Sequence, residues 1–108
     1  MQTMITARHC EISDELRART QEVVDRLAAV AQNPIEATVV YDVEGAARTV
    51  ELRFHVAASE VLVAGGQAQD HRSALDAAEA KMRKQLTRAA EKLVERTRQS
   101  RPTETPPA

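Results

Sequence analysis

The sequence predicts a two-layer α+β domain in which a mostly antiparallel four-stranded sheet carries two helices on one face. Three observations lead there. Apolar residues recur at helical spacing in two stretches, one early and one late in the chain. Between them the apolar period falls to two over consecutive runs. The chain has 108 residues, 43% of them hydrophobic, which is enough for one buried core and too little for two. The order strand, helix, three strands, helix closes around a single apolar layer.

The first element, Gln2 to Arg8, is short, and Met4, Ile5 and Thr6 favour an extended backbone. Ser13 is placed to cap the helix that follows, with Asp14 and Glu15 in its first turn, where the helix dipole favours negative charge. Leu16, Val23, Val24, Leu27 and Ala31 form its apolar stripe, with Thr20 in the same stripe where a larger residue would fit. Asn33-Pro34 is expected to end this helix, because the residue before proline avoids helical geometry.

From Ile35 the alternation begins. Ile35, Ala37, Val39, Tyr41 and Val43 share one face, and Val40 breaks the pattern on the other. Val50, Leu52, Phe54 and Val56 repeat the alternation after the short connection Glu44-Gly45-Ala46-Ala47, which reads as a hairpin. A third run is expected at about Glu60 to Ala64, ended by Gly65-Gly66. Asp70 then caps the longest helix, whose face is Leu75, Ala78, Met82, Leu86, Ala89 and Leu93. After Gln99 the composition shifts to Pro and Thr. The reading is therefore one domain over residues 1–98 and a disordered tail over 99–108.

Composition narrows the function classes. Cys10 is the single cysteine, so no intramolecular disulfide and no multi-cysteine metal site can form. The first residues lack the apolar run of a signal peptide or membrane span, and a cytoplasmic protein with no membrane partner is expected. The histidines His9, His55 and His71 fall in no H-x-x-x-H spacing, and no glycine-rich phosphate loop or nucleophile elbow occurs. Neither catalysis, a cofactor nor a small-molecule substrate is expected.

Charge is informative. The net charge is −1, but residues 81–101 hold eight basic and two acidic side chains, whereas residues 1–80 hold seven basic and thirteen acidic ones. Lys81, Lys84, Arg88 and Lys92 are three, four and four apart, which places them on one flank of the last helix. Arg83 falls on the opposite flank. Arg19 and Arg26, seven apart, align on the first helix. Basic residues on a surface helix are commonly just solvated, yet a stripe without acids repels itself unless a polyanion lies beside it. Aromatics make up only 2% of the chain, and Tyr41 and Phe54 are both in phase with buried positions. Base stacking is thereby disfavoured, and recognition of phosphates and folded RNA shape is favoured.

Residues 2 to about 97 resemble the ribosome hibernation-promoting factors, also described as ribosome-associated inhibitors or sigma-54 modulation proteins (S30AE domain). The residues that carry the resemblance are Ile5-Thr6, Glu11-Ile12-Ser13, Leu16-Arg17, Asp70, Ala74-Leu75-Asp76, the run Lys81-Met82-Arg83-Lys84-Gln85-Leu86-Thr87-Arg88, and Glu91-Lys92-Leu93. The resemblance implies a β-α-β-β-β-α fold similar to double-stranded-RNA-binding domains. It also implies a translation inhibitor that binds the small ribosomal subunit and its rRNA near the A and P sites, excludes mRNA and tRNA, and keeps ribosomes inactive. By position, Lys81, Lys84, Arg88 and Lys92 are its rRNA-contacting stripe, with Arg83, Arg8, Arg19 and Arg26 as further candidates. His71-Arg72-Ser73 departs from the family's Met-Tyr-containing stretch, with a looser helix start or an altered contact expected. The short-form length goes with a monomer that lacks the second, dimer-forming domain of the long forms. Two rival readings share the basic helix: a module that binds an acidic protein, and a generic binder of double-stranded RNA.

Overall fold

A computed structural model describes residues 1–31, 33–56 and 60–100, with side chains as far as Lys92. The elements run β1 (Gln2–Ala7), α1 (Asp14–Val30), β2 (Glu36–Glu44), β3 (Ala47–Val56), β4 (Glu60–Ala68) and α2 (His71–Ser100). The sheet order is β1-β2-β3-β4. β1 pairs with β2 in parallel, from Gln2 opposite Glu36 to Ala7 opposite Tyr41, and α1 supplies the crossover that parallel neighbours need. The other two pairs are antiparallel. The α+β class and the element order are as the periodicity predicts.

Both helices cover the same face of the sheet. Val23, Val24 and Leu27 of α1 meet Ala37, Val39, Tyr41, Leu52 and Phe54 of the sheet and Leu75, Ala78, Met82 and Leu86 of α2 in one buried cluster. Tyr41 and Phe54 are fully buried, so neither presents a ring to a nucleic acid base. Thr20 is the one buried polar residue among the described residues, and its place in the apolar stripe has a cause. Its hydroxyl donates to the Leu16 carbonyl oxygen at 2.7 Å and also meets the Tyr41 hydroxyl, so the phenol enters the core with a partner.

Ser13 caps α1 as expected, accepting from the Leu16 N–H at 3.0 Å. The helix ends at Val30, ahead of Asn33-Pro34, because Ala31 already turns extended and Asn33 takes a left-handed φ of 50°. Ile35, expected inside the strand, lies just before it and is exposed, although its N–H bonds the His55 carbonyl. The β2–β3 turn has a positive φ only at Gly45, its first central residue, which suits the twist of a two-residue hairpin.

Two boundaries differ from expectation. β4 does not stop at Gly65-Gly66 but runs through both to Ala68. The reason is the approach of α2: a Cβ on Gly66 would collide with the Ala74 carbonyl oxygen and stand 2.9 Å from the Ala78 nitrogen. Glycine here marks a strand pressed against a helix backbone rather than a strand's end. α2, in turn, continues to Ser100, past Gln99, since no residue before Pro102 breaks a helix. Residues 101–108 of the expected tail, and the side chains of Leu93 and Glu95, lie outside the described residues.

Candidate nucleic-acid interface

α2 is aimed by its N-terminus and by one buried face. Asp70 accepts from the Ser73 N–H at 2.8 Å and from the Ser73 hydroxyl at 3.1 Å, and these bonds hold its carboxyl below the usual range. His71 adds a tether where the departure from the family pattern predicts loosening. Its Nε2–H donates to the Asp42 carbonyl oxygen at 2.9 Å, and its ring stands edge-on to Tyr41 with centroids 5.1 Å apart. The start of α2 is thus fastened to β2. With Ala74, Leu75, Ala78, Met82 and Leu86 buried, every other direction on the helix is fixed.

The two flanks of α2 differ in charge balance. One faces α1, and here arginines meet carboxylates. Arg19 bonds Asp76 at 3.2 Å. Arg26 places Nε and Nη2 on the two oxygens of Glu79, each at 3.2 Å, and Arg83 Nη2 reaches Glu79 from within α2 at 3.1 Å. Burial alone pushes the Glu79 carboxyl up, but the hydrogen bonds and charges of Arg26 and Arg83 more than offset this and hold it below its ordinary value. The bond to Glu79 likewise raises Arg26.

The other flank runs beside β4, the outer strand of the sheet. Lys81 Nζ donates to the Gly65 carbonyl oxygen at 3.0 Å, and Gln85 Nε2 donates to the Val63 carbonyl oxygen at 2.7 Å. Lys84, Arg88 and Lys92 are exposed along this flank and the adjoining outer surface. Among the described residues none of these four cations has a carboxylate within ion-pair distance. Like charges so placed repel one another and favour a polyanion as neighbour.

The eight candidate cations therefore fall into three settings. Lys81, Lys84, Arg88 and Lys92 share the flank on which no described carboxylate pairs with them. Arg19, Arg26 and Arg83 sit in the helix seam with Asp76 and Glu79. Arg8, at the end of β1, is exposed and meets Lys81 only at a depression of about 500 Å³ that Asp42, Glu51 and Gln67 also line. Asp76 and Glu79 lie just before the basic segment 81–101, so its local charge balance gives no sign of the pairs they form. The Glu79–Arg83 pair has the i, i+4 spacing that signals it, whereas Arg26 is supplied by another helix and leaves no local trace. Among the described residues no three His, Cys, Asp or Glu side chains converge as a metal site would require. No described helix is long and apolar enough to cross a membrane.

Comparison with known proteins agrees with this architecture. The chain is 30% identical over 106 residues to the ribosome hibernation promoting factor of Azotobacter vinelandii, covering 98% of each. It is 29% identical over 94 residues to the ribosome hibernation promotion factor of Rhizobium meliloti (strain 1021), covering 86% of this chain and 50% of that longer protein. A ribosomal subunit interface protein from Coxiella burnetii superposes with a TM-score of 0.75 at 17% identity, over 84% of this chain and 99% of that one. The N-terminal domain of Thermus thermophilus Protein Y superposes with a TM-score of 0.69 at 22% identity, over 79% and 93% respectively. At these identities the two structures speak for the fold. The family described as Sigma 54 modulation protein / S30EA ribosomal protein matches residues 3–94, nearly the whole described domain, and the chain belongs to that family.

Proposed function

We propose that this protein binds the small ribosomal subunit through rRNA phosphates near the A and P sites and, by occupying that space, keeps mRNA and tRNA out and the ribosome inactive. The observation that carries the reading is the flank of Lys81, Lys84, Arg88 and Lys92, exposed and without an ion-pair partner among the described residues, on a chain similar over 98% of its length to a protein named ribosome hibernation promoting factor. Arg8 extends that surface, and Arg19, Arg26 and Arg83 have a lesser part because each already faces a carboxylate. The mechanism is occlusion. The helix, fastened at His71 and packed along Ala74 to Leu86, presents its cations without rearrangement, and no covalent chemistry is involved. A cytoplasmic, monomeric protein without cofactor fits this role.

Co-sedimentation with purified 30S subunits tests the proposal. Association is expected to weaken steeply with salt and to be competed by tRNA. Equal affinity for any RNA duplex makes the protein a generic double-stranded-RNA binder instead. Absence of RNA binding leaves a module for an acidic protein partner.

A further inference from the structure

The geometry points to Glu79 as a positioning residue that withholds Arg26 and Arg83 from the polyanion and so confines the binding footprint to one flank of α2. The inference rests on the reading of that helix as a phosphate-binding surface, and it concerns residues on the flank away from the stripe.

Among the described residues the Glu79 carboxylate alone joins the two arginines. Arg26 lies bidentate across its two oxygens at 3.2 Å, and Arg83 shares Oε2 at 3.1 Å. Bidentate guanidinium–carboxylate pairs are the geometrically demanding kind, and they hold the fork in one plane. Glu79 is only 13% exposed, whereas the arginines are 43% and 44% exposed, so the anion is sheltered and the cations reach water. Two positive charges are therefore present at the surface but oriented inward, toward a carboxylate that a phosphate would have to displace.

Position makes the restraint matter. Arg83 and Lys84 are neighbours on α2, about 100° apart around its axis. A released Arg83 would extend the basic row of Lys84 and Arg88 across the outer surface of the helix, and a released Arg26 would carry it onto α1. Held as they are, both arginines leave the row one flank wide. A narrow footprint fixes which side of the helix meets phosphate, and hence the orientation in which the domain docks. Arg19 is a weaker instance of the same arrangement, held by one bond to the more exposed Asp76.

Glu79→Gln keeps the side-chain shape and removes the charge. Its binding to 30S is compared with that of Glu44→Gln, which removes one exposed carboxylate from the β2–β3 turn and changes net charge equally. Glu79→Gln is expected to bind roughly three- to tenfold more tightly than the control, the yield of two exposed ion pairs. The slope of log affinity against log salt should steepen by about one to two, since each phosphate contact contributes about 0.7 to 0.9. Adding Arg26→Ala and Arg83→Ala to Glu79→Gln should abolish the gain. A purely structural Glu79 would lower the unfolding temperature and leave the salt slope alone, and that result overturns the proposal, as does a gain that survives in the triple variant.

Two further measurements stand apart from ribosome binding and from the stability of the variant. On a heparin column Glu79→Gln should elute at higher salt than Glu44→Gln, and equal elution, including no retention of either, counts against the proposal. In the wild-type protein, the Arg26 Nε–H resonance should hold its position when a heparin oligosaccharide is added while that of Arg88 moves. Movement of both shows that Glu79 withholds nothing. If wild-type protein fails to co-sediment with 30S, the ribosomal reading falls, and these two measurements still decide the role of Glu79.

Discussion

The Tyr41 hydroxyl donates to the Thr20 hydroxyl, joining β2 to α1 inside the core. The direction follows from counting protons. Thr20 has one hydroxyl hydrogen, and the Leu16 carbonyl oxygen 2.7 Å away can only accept, so that hydrogen is committed and the phenol must supply the other. The two side chains are thus unequal partners. Thr20→Val strands a buried phenol and is expected to cost about 1–3 kcal/mol, whereas Tyr41→Phe leaves Thr20 still bonded to Leu16 and should cost about 0.5–1.5 kcal/mol. Urea unfolding of the two variants measures the order, and a costlier Tyr41→Phe would reverse the assigned donor.

The same residue makes stability depend on pH on the alkaline side. Burial raises the Tyr41 phenol above its ordinary 10.0, so the folded state keeps a proton that the unfolded chain would release. Stability is fully present below the unfolded value and declines as pH rises toward the folded one. Tyr41 is the single tyrosine and tryptophan is absent, so a near-ultraviolet titration reads this phenol alone. Its midpoint should lie above 10.0 and coincide with loss of far-ultraviolet ellipticity.

On the acid side the sign is opposite. Asp42, held down by the Val43 N–H and by His9, Asp70, held down by Ser73, and Glu79, held down by Arg26 and Arg83 against its burial, all have depressed folded values. Their contribution is present above the ordinary carboxylate range near about 4 and is lost as pH falls through the folded values. Unfolding temperature should therefore drop as the protein is acidified through that range. Asp70→Asn, which keeps a competent helix cap without the charge, should reduce the acid dependence while costing little at neutral pH.

Gly65 and Gly66 are adjacent and should respond oppositely to alanine. At Gly66 the added methyl meets the Ala74 carbonyl and the Ala78 nitrogen, both backbone atoms that no rotamer change can move. The expected loss is at least about 3 kcal/mol, the upper part of the range for overpacking. At Gly65 the nearest atom is the Val50 carbonyl oxygen at 3.7 Å, an ordinary contact, and alanine should be neutral or stabilise by up to about 1 kcal/mol. Thermal unfolding of the pair checks whether the glycine dipeptide is a packing device or a turn.

For the binding surface, Lys84, Arg88 and Lys92 changed together to Glu should abolish 30S association. All three are exposed, so the unfolding free energy should move by less than about 1 kcal/mol. Wild-type salt dependence in this variant would show that the surface lies elsewhere.

The alternation from Ala37 to Val56 and the stripe from Leu75 to Leu86 made the sheet, its core face and both helices legible, because burial imposes its period directly on sequence. Contacts between residues distant in the chain left no such period. The crossing of α2 over Gly66 turned an apparent strand terminator into a strand interior. The pairing of Arg26 with Glu79 placed an apparently available cation in a seam. Likewise His71, a departure when judged by pattern, became a tether once Asp42 and Tyr41 were brought beside it. Charge spacing along one helix could show which cations share a flank, but not which of them the neighbouring helix would neutralise.

The bonds from Gln85 to Val63 and from Lys81 to Gly65 have a consequence for solubility. β4 is an outer strand that exposes Val61 and Val63, the kind of edge that recruits a matching strand from another molecule and seeds aggregation. Two successive outward carbonyls of that edge are already occupied by side chains from α2, so an incoming strand finds an interrupted ladder. A lysine charge also stands at the gap. The helix that presents the cations thereby also shields the edge beside it from self-assembly.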